Sequence, residues 1–589
     1  MKRLLAIVSF IALSSTVFTS CKKEEVLNDD IVLKSFTFEP NANEGLNKSI
    51  QGVIEGKKVF IRIPNAVDGK AAIPTFVTNY AQSVGFIGNT VVESGITPID
   101  LSKPTTLRLS AEGSMTEYIV EGVKSASILS FGFFAEDNEG VLFKDYKATI
   151  TKLNINVELP VDADITSLVA RYTTTSGATV KFQGSNFQSQ VTALDYSNEV
   201  ELSLTDAEME GDETFTVTVG RLTAPVWTAM TLPDFLLANA TTAIVEINPL
   251  TNQPYLMIQK SGSNDIDRKG VMGGFDATSN TWFSVGDENG FSATRVDAIS
   301  FTFDNKGTIY SAYKDYTVGT RKDFGSVMAY KNNKWEYVGE QQSLFGKAGT
   351  MTILTDTNDI PYVGYVLSSA LSPYVNRTPY IESFQDGSWK GGTITPTSTG
   401  FYARMVKGRD NQLYYLTMDL TSGNGLRKPS VYKLINGIWT LVGKMNVGPT
   451  SSISGGINVD LDATEDGKLY LTYQSNSPSF NTYVMYWDGT SWNQLGDGIA
   501  QTTSGSANRD NVAIKIHPDG RIFFAYSDAN NGVRVTTCNN ETGNWNTPSV
   551  LTTENGNKLE LRIAEDGVVY LATIINSKAA LFKYDIPGK

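Results

Sequence analysis

"NKWEYVGE" (333–340) lies near the middle of this 589-residue chain, and "GIWTLVGK" (437–444) and "TSWNQLGD" (490–497) repeat its plan. Each begins in a polar turn, sets a tryptophan on a short strand, and reaches a glycine after three intervening residues. Working outward from these segments, Trp227, Trp282, Trp335, Trp389, Trp439, Trp492 and Trp545 keep separations of 55, 53, 54, 50, 53 and 53 residues. Only Trp487 falls outside the series. A regular period of this size is the mark of a repeat architecture.

The period 296–339 shows the grammar of one unit. An apolar strand meets a tight turn with Asp304 and Gly307, and a second strand ends at Tyr313. A long polar loop then leads to a third strand, a short turn and the tryptophan strand. The tight turn returns as "TEDGKLY" (464–470), "HPDGRIF" (517–523) and "AEDGVVY" (564–570). Asp-Gly pairs supply the positive φ that such hairpins require. Four strands in roughly 50 residues is the grammar of a propeller blade.

Innermost strands are expected near Ala243, Val296, Thr350, Tyr402, Ile457, Val512 and Leu559, which makes seven blades over 221–589. The seventh, 559–585, stops before any tryptophan strand. "PVWTAMTLP" (225–233) is expected to fill that place, closing the ring and removing an exposed edge. Each tryptophan is then a structural wedge between blades, and the glycine ends the outer strand.

Ahead of the ring stand two further repeats. "KSFTFEPNANEGL" (34–46) recurs as "LSFGFFAEDNEGV" (129–141), and "VFIRIP" (59–64) as "INVELP" (155–160). Short runs alternating with period two and broken by Gly, Asn, Asp and Pro read as β-sandwiches. The units 31–125 and 126–220 resemble tandem bacterial immunoglobulin-like modules. The expected fold class is all-β, with two Ig-like sandwiches followed by a β-propeller, and the sandwiches serve as a stalk.

The first 21 residues, "MKRLLAIVSFIALSSTVFTSC", have a basic start, an apolar run and small polar residues before Cys21. That is the layout of a secretory signal (1–20). It resembles the lipobox of bacterial lipoproteins, and "CKKEE" (21–25) resembles the surface-export signal of Bacteroidetes outer-membrane lipoproteins. The resemblance implies acylation of Cys21 (palmitate among the chains), a tether over 21–30 and display on the cell surface.

Composition narrows the function. A net charge of −13 argues against nonspecific nucleic-acid binding. With two cysteines and one histidine, zinc sites and Ser-His machinery are hard to build. We expect no metal site, no cofactor and no catalytic residues.

The turns joining strands one to two and three to four are short, whereas the loops joining strands two to three and successive blades are long. Antiparallel order puts both long classes on one face, the natural working surface. Arg295, Arg404 and Arg509 stand at the start of innermost strands, where guanidinium forks suit carboxylate or sulfate groups. Pairing of Arg295 with Asp297, and of Arg509 with Asp510, is the competing reading. Tyr316, Tyr374, Asn376, Phe480 and Asn481 on the long-loop face have the chemistry for sugars. His517, in "HPDG", reads as a solvent-facing turn residue on the opposite face.

Sialidases are propellers with an arginine triad, but "DATSNTW" (276–282) and "WDGTSW" (487–492) depart from the spacing of their Asp-box. Three function classes stay open. The first is capture of an extracellular ligand, above all a polysaccharide, with an outer-membrane transporter as possible partner. The others are a protein-interaction or adhesion module, and a propeller glycosidase or lyase.

Overall fold

The computed structural model describes residues 30–587 apart from 143, 207–208, 320, 395–398, 401, 420–427, 449–454, 476–480, 502–510, 529–531 and 540–542. The signal segment, Cys21, Phe480, Arg509 and Asp510 lie outside the described residues.

The chain is all-β, and its C-terminal part is a β-propeller. Seven antiparallel sheets form the ring, and in six of them the four-strand path runs in chain order. Blade two shows the pattern: Val296–Phe303, Ile309–Asp315, Gly325–Lys331 and Lys334–Tyr337. The last sheet joins Gly556–Ile563, Val569–Ile575 and Lys578–Asp585 to Val226–Ala229 from the start of the ring. Trp227 stands opposite Tyr584 in that register. The closure expected from "PVWTAMTLP" therefore exists, and each end of the propeller covers the other's edge.

The tryptophan-glycine spacing has a fuller explanation than strand termination. Indole Nε1 of Trp335 donates to the carbonyl of Val285, at 3.0 Å, in the preceding blade. Trp389 does the same to Val338 (2.8 Å) and Trp492 to Val442 (3.0 Å). Each acceptor immediately precedes one of the recurring glycines. A Cβ on Gly286 would stand 2.8 Å from Trp335 Cδ1, and the backbone there has φ +91°. The glycine of one blade is the seat for the tryptophan of the next. Blade six departs from the plan. Its outer strand is Ser549–Thr552, and Trp545 lies ahead of it, bridged to Cys538. Pro548 cannot donate to a ladder, so regular pairing starts after it. The Cys538 thiol is buried, which pushes its pKa up.

N-terminal to the ring are two sandwiches whose six-stranded sheets share one strand order, while the other sheet has three strands in the first and four in the second. In the first, Lys58–Ile63 pairs parallel with Ser114–Lys124; in the second, Asn154–Leu159 pairs parallel with Met209–Arg221. Their cores are built on Phe36, Phe38 and Leu107, and on Phe131, Phe133 and Phe215. The sandwiches meet at Glu213, a buried carboxylate that accepts from Asn65 N at 3.2 and 3.1 Å and from Asn65 Nδ2 at 2.6 Å.

The second sandwich also grips the propeller. Ile586, beyond the last blade strand, is buried in the sandwich core. Arg521 Nη2 lies 3.6 Å from Asp162 and 2.6 Å from Asp519. His517 corrects the sequence reading. It is 3% exposed, with Nδ1 2.8 Å from Asp519 and Nε2 3.0 Å from the carbonyl of Gly567 in the next blade. The turn faces a neighbouring sandwich rather than solvent.

Burial would raise the Asp519 carboxyl, but His517 and Arg521 outweigh it and hold its pKa well below the usual carboxylate range. A depressed folded pKa contributes stability that is present above the unfolded value, about 4, and fades as pH falls through the folded one. Asp519→Asn is expected to cost about 1–3 kcal/mol at neutral pH. The gap to the parent should narrow on acidification below about pH 4, as read by thermal melts across pH.

Candidate functional site: the axial cavity

The innermost strands enclose a cavity of about 680 Å³ along the propeller axis. That lies within the range of about 300–1,000 Å³ typical of small-molecule sites. Its wall runs from the long-loop ends of these strands (Asp297, Gly349, Tyr402) to their short-turn ends (Thr302, Leu354, Lys407). Inner strands of a ring have no backbone partner on the axial side, so their polar groups need side-chain partners. Blade five supplies them in a ladder. Asn458 Oδ1 accepts from Asn511 N (3.0 Å), Asp460 Oδ2 from Ile514 N (2.9 Å) and Asp462 Oδ2 from Ile516 N (2.8 Å). The period-two spacing of a strand puts all three on one side.

A charge network crosses the axis. Arg404 Nε donates to Asp460 at 2.7 Å, and its two terminal nitrogens reach Glu560 at 3.0 and 2.9 Å. Glu560 also accepts from Arg562 Nη1 (3.1 Å), and Arg562 forks onto Glu246 at 2.8 and 2.5 Å. Burial opposes the charge on Arg404, but Asp460 and Glu560 outweigh it and keep the guanidinium protonated. Four blades are thereby tied together at the hub.

Of the arginines singled out in the sequence, Arg404 lines this cavity and Arg295 does not. Arg295 Nη2 lies 2.5 Å from Asp297 and its guanidinium covers the Tyr316 ring at 4.1 Å. The competing reading of Arg295 as an ion-pair partner describes what the fold does with it. Burial, then the hydrogen bond to Asp297, pushes the Tyr316 hydroxyl up. Lys314 Nζ also sits 5.1 Å from that ring. Tyr374 is half-buried and edge-on to Phe345 (5.7 Å) and Tyr380 (5.5 Å), so it anchors its loop. Asn376 is exposed two residues on, and Asn481 opens the third strand of blade five.

Two buried carboxylates, Asp315 and Asp419, anchor connections between strands. Asp315, 2% exposed, accepts from Ser326 Oγ (2.8 Å), whose oxygen accepts from Gln342 N (2.7 Å). In blade four, Asp419, Ser430 and Asn446 N repeat the arrangement at 3.4 and 3.0 Å. Sequence reasoning missed Glu246, Asp460, Glu560 and Arg562. The signal was present: "AIVEI", "VDLDA" and "LELRI" put charge inside runs otherwise apolar enough for a core.

No family model and no curated protein matches the chain. Among solved structures it is similar to the lectin BP39L of Burkholderia pseudomallei, at 14% identity over 58% of this chain and 98% of that one, TM-score 0.40. It is also similar to an ulvan lyase, at 10% identity over 59% and 94%, TM-score 0.40. The Cps50 (Swd1) β-propeller domain of Myceliophteria thermophila is similar at 10% identity over 62% and 99%, TM-score 0.37.

Proposed function

We propose that this chain is a lipid-anchored protein of the outer cell surface that captures a glycan in the hub of its propeller. In this reading two immunoglobulin-like modules hold the ring away from the membrane. The observation that carries the proposal is the axial cavity, a concave site walled by polar and charged groups on rigid strands. Polar groups fixed on a scaffold recognise hydroxyl-rich ligands at low ordering cost. The test is a glycan array probed with the full chain in detergent. Binding should concentrate on a narrow set of saccharides, and Arg404→Gln, which alters the cavity wall, should weaken it. A protein that binds no saccharide removes this reading.

One observation favours the protein-interaction alternative. Ile266, Val318 and Val375, on the two-to-three loops of blades one to three, are 69%, 88% and 57% exposed. Cross-linking on cells with a probe at position 318 separates the readings, since glycan capture in the hub predicts no protein adduct there.

A further inference from the structure

The axial cavity has a charge balance unlike that of the chain around it. Seven Lys and Arg side chains line it against four Asp and Glu, an excess of three positive charges in a chain of net charge −13. Several of these cations are committed. Arg404 and Arg562 belong to the hub network, Lys515 Nζ lies 3.2 Å from Asp462, and Arg268 lies 3.5 Å from Asp297.

Lys407 and Arg409 differ. Lys407 ends the inner strand of blade four (Arg404–Lys407), and Arg409 follows in the tight turn, both half-buried on the cavity wall at its short-turn end. Among the described residues, neither has a carboxylate within ion-pair distance. Lys407 Nζ reaches across to Asn305 Oδ1 of blade two, at 3.5 Å. Arg409 N is pinned to the Ala463 carbonyl at 3.2 Å, which fixes where the side chain starts. Desolvation lowers the Arg409 pKa, and Asp462, Glu465 and Asp519 farther off compensate only in part. A cation held in a partly dry wall without a close counter-ion is one that a bound anion stabilises.

We infer that the short-turn end of the axial cavity binds the oxyanion of an acidic saccharide, a carboxylate or a sulfate ester, through Arg409 and Lys407. Arg409 supplies a fork of N–H donors and Lys407 a mobile point charge. The inference rests on the glycan-capture reading and adds two things to it: the charge of the ligand, and the end of the cavity that grips it. This pair stands at the end of the cavity opposite the long-loop end, where the sequence put Arg295, Arg404 and Arg509.

The experiment is calorimetric titration of the full chain with three probes of equal length. These are a κ-carrageenan hexasaccharide, whose anions are sulfate esters alone, a galacturonic acid hexamer and maltohexaose. One or both acidic probes should bind, and which one does tells sulfate from carboxylate. Binding should weaken as salt rises from about 0.05 to about 0.5 M. Lys407→Gln with Arg409→Gln should weaken it about 10- to 100-fold with an unchanged melting temperature. Arg409→Lys should fall between the two. Equal binding of maltohexaose, or acidic binding indifferent to the double variant, overturns this inference and leaves glycan capture standing. Binding of none of the three, together with an empty glycan array, overturns both.

Discussion

Arg404→Ala is expected to destabilise the propeller by about 3–5 kcal/mol, the scale for removing one partner from a buried ion pair. The reason is what stays behind. Asp460 is 0% exposed and loses the Nε donor at 2.7 Å, while Glu560 loses both members of its fork. Asp460 keeps the Ile514 N–H and Glu560 keeps Arg562, so neither carboxylate is wholly abandoned. Both nevertheless face a hub from which compensating charge has been taken. All eight tryptophans lie between 227 and 545, and the sandwiches hold none, so tryptophan fluorescence reports on the ring alone. The measurement is the urea midpoint by that fluorescence, urea being uncharged. One further result follows from the same physics. Pairing Arg404→Met with Glu560→Met should recover much of the loss, since an apolar replacement of a buried pair is often neutral. A single variant that unfolds within about 1 kcal/mol of the parent would show that water, not Arg404, neutralises the hub.

What the sequence made legible was whatever repeats. The tryptophan period recurs seven times, the tight Asp-Gly turns return in several blades, and the strand around Trp227 fills the one place left open, so the ring follows from them. The hub was less legible because it does not repeat. Glu246, Asp460, Glu560 and Arg562 come from different blades and meet only when the ring closes, with Arg562 and Glu246 316 residues apart. Arg295 was visible as an arginine at a strand start, and so was Asp297 beside it, but which of the two readings wins depends on side-chain distance. His517 misled for a related reason. Its turn chemistry predicts an exposed loop, and only the docking of a separate sandwich, through Ile586 and Asp162, buries it. Local pattern fixes elements; closure and docking decide which polar groups are left for a ligand.

The blade wedge gives the other large effect. Trp335→Ala is expected to cost about 3–5 kcal/mol, because it empties a seat between blades and orphans the Val285 carbonyl. The ring also loses its stack on Phe291, 4.4 Å away. Gly286→Ala attacks the same seat from the other side. Its Cβ would press on the indole at 2.8 Å with the backbone already at φ +91°, so it too should destabilise by 1 kcal/mol or more, roughly the cost of overpacking. A comparison within the chain separates wedge from hydrogen bond. At the seam of the ring the preceding outer strand is Val226–Ala229, which offers no Val-Gly seat, and the Trp282 indole N–H is buried with no hydrogen-bond partner among the described residues. Trp335→Phe gives up a made hydrogen bond, worth about 1 kcal/mol, whereas Trp282→Phe gives up a donor that was never satisfied. The first should therefore lower the urea midpoint measurably and the second should leave it unchanged or raise it. Equal losses at both positions would mean that ring volume alone sets the tryptophan period, and that the glycine four residues later serves the turn and not its neighbour.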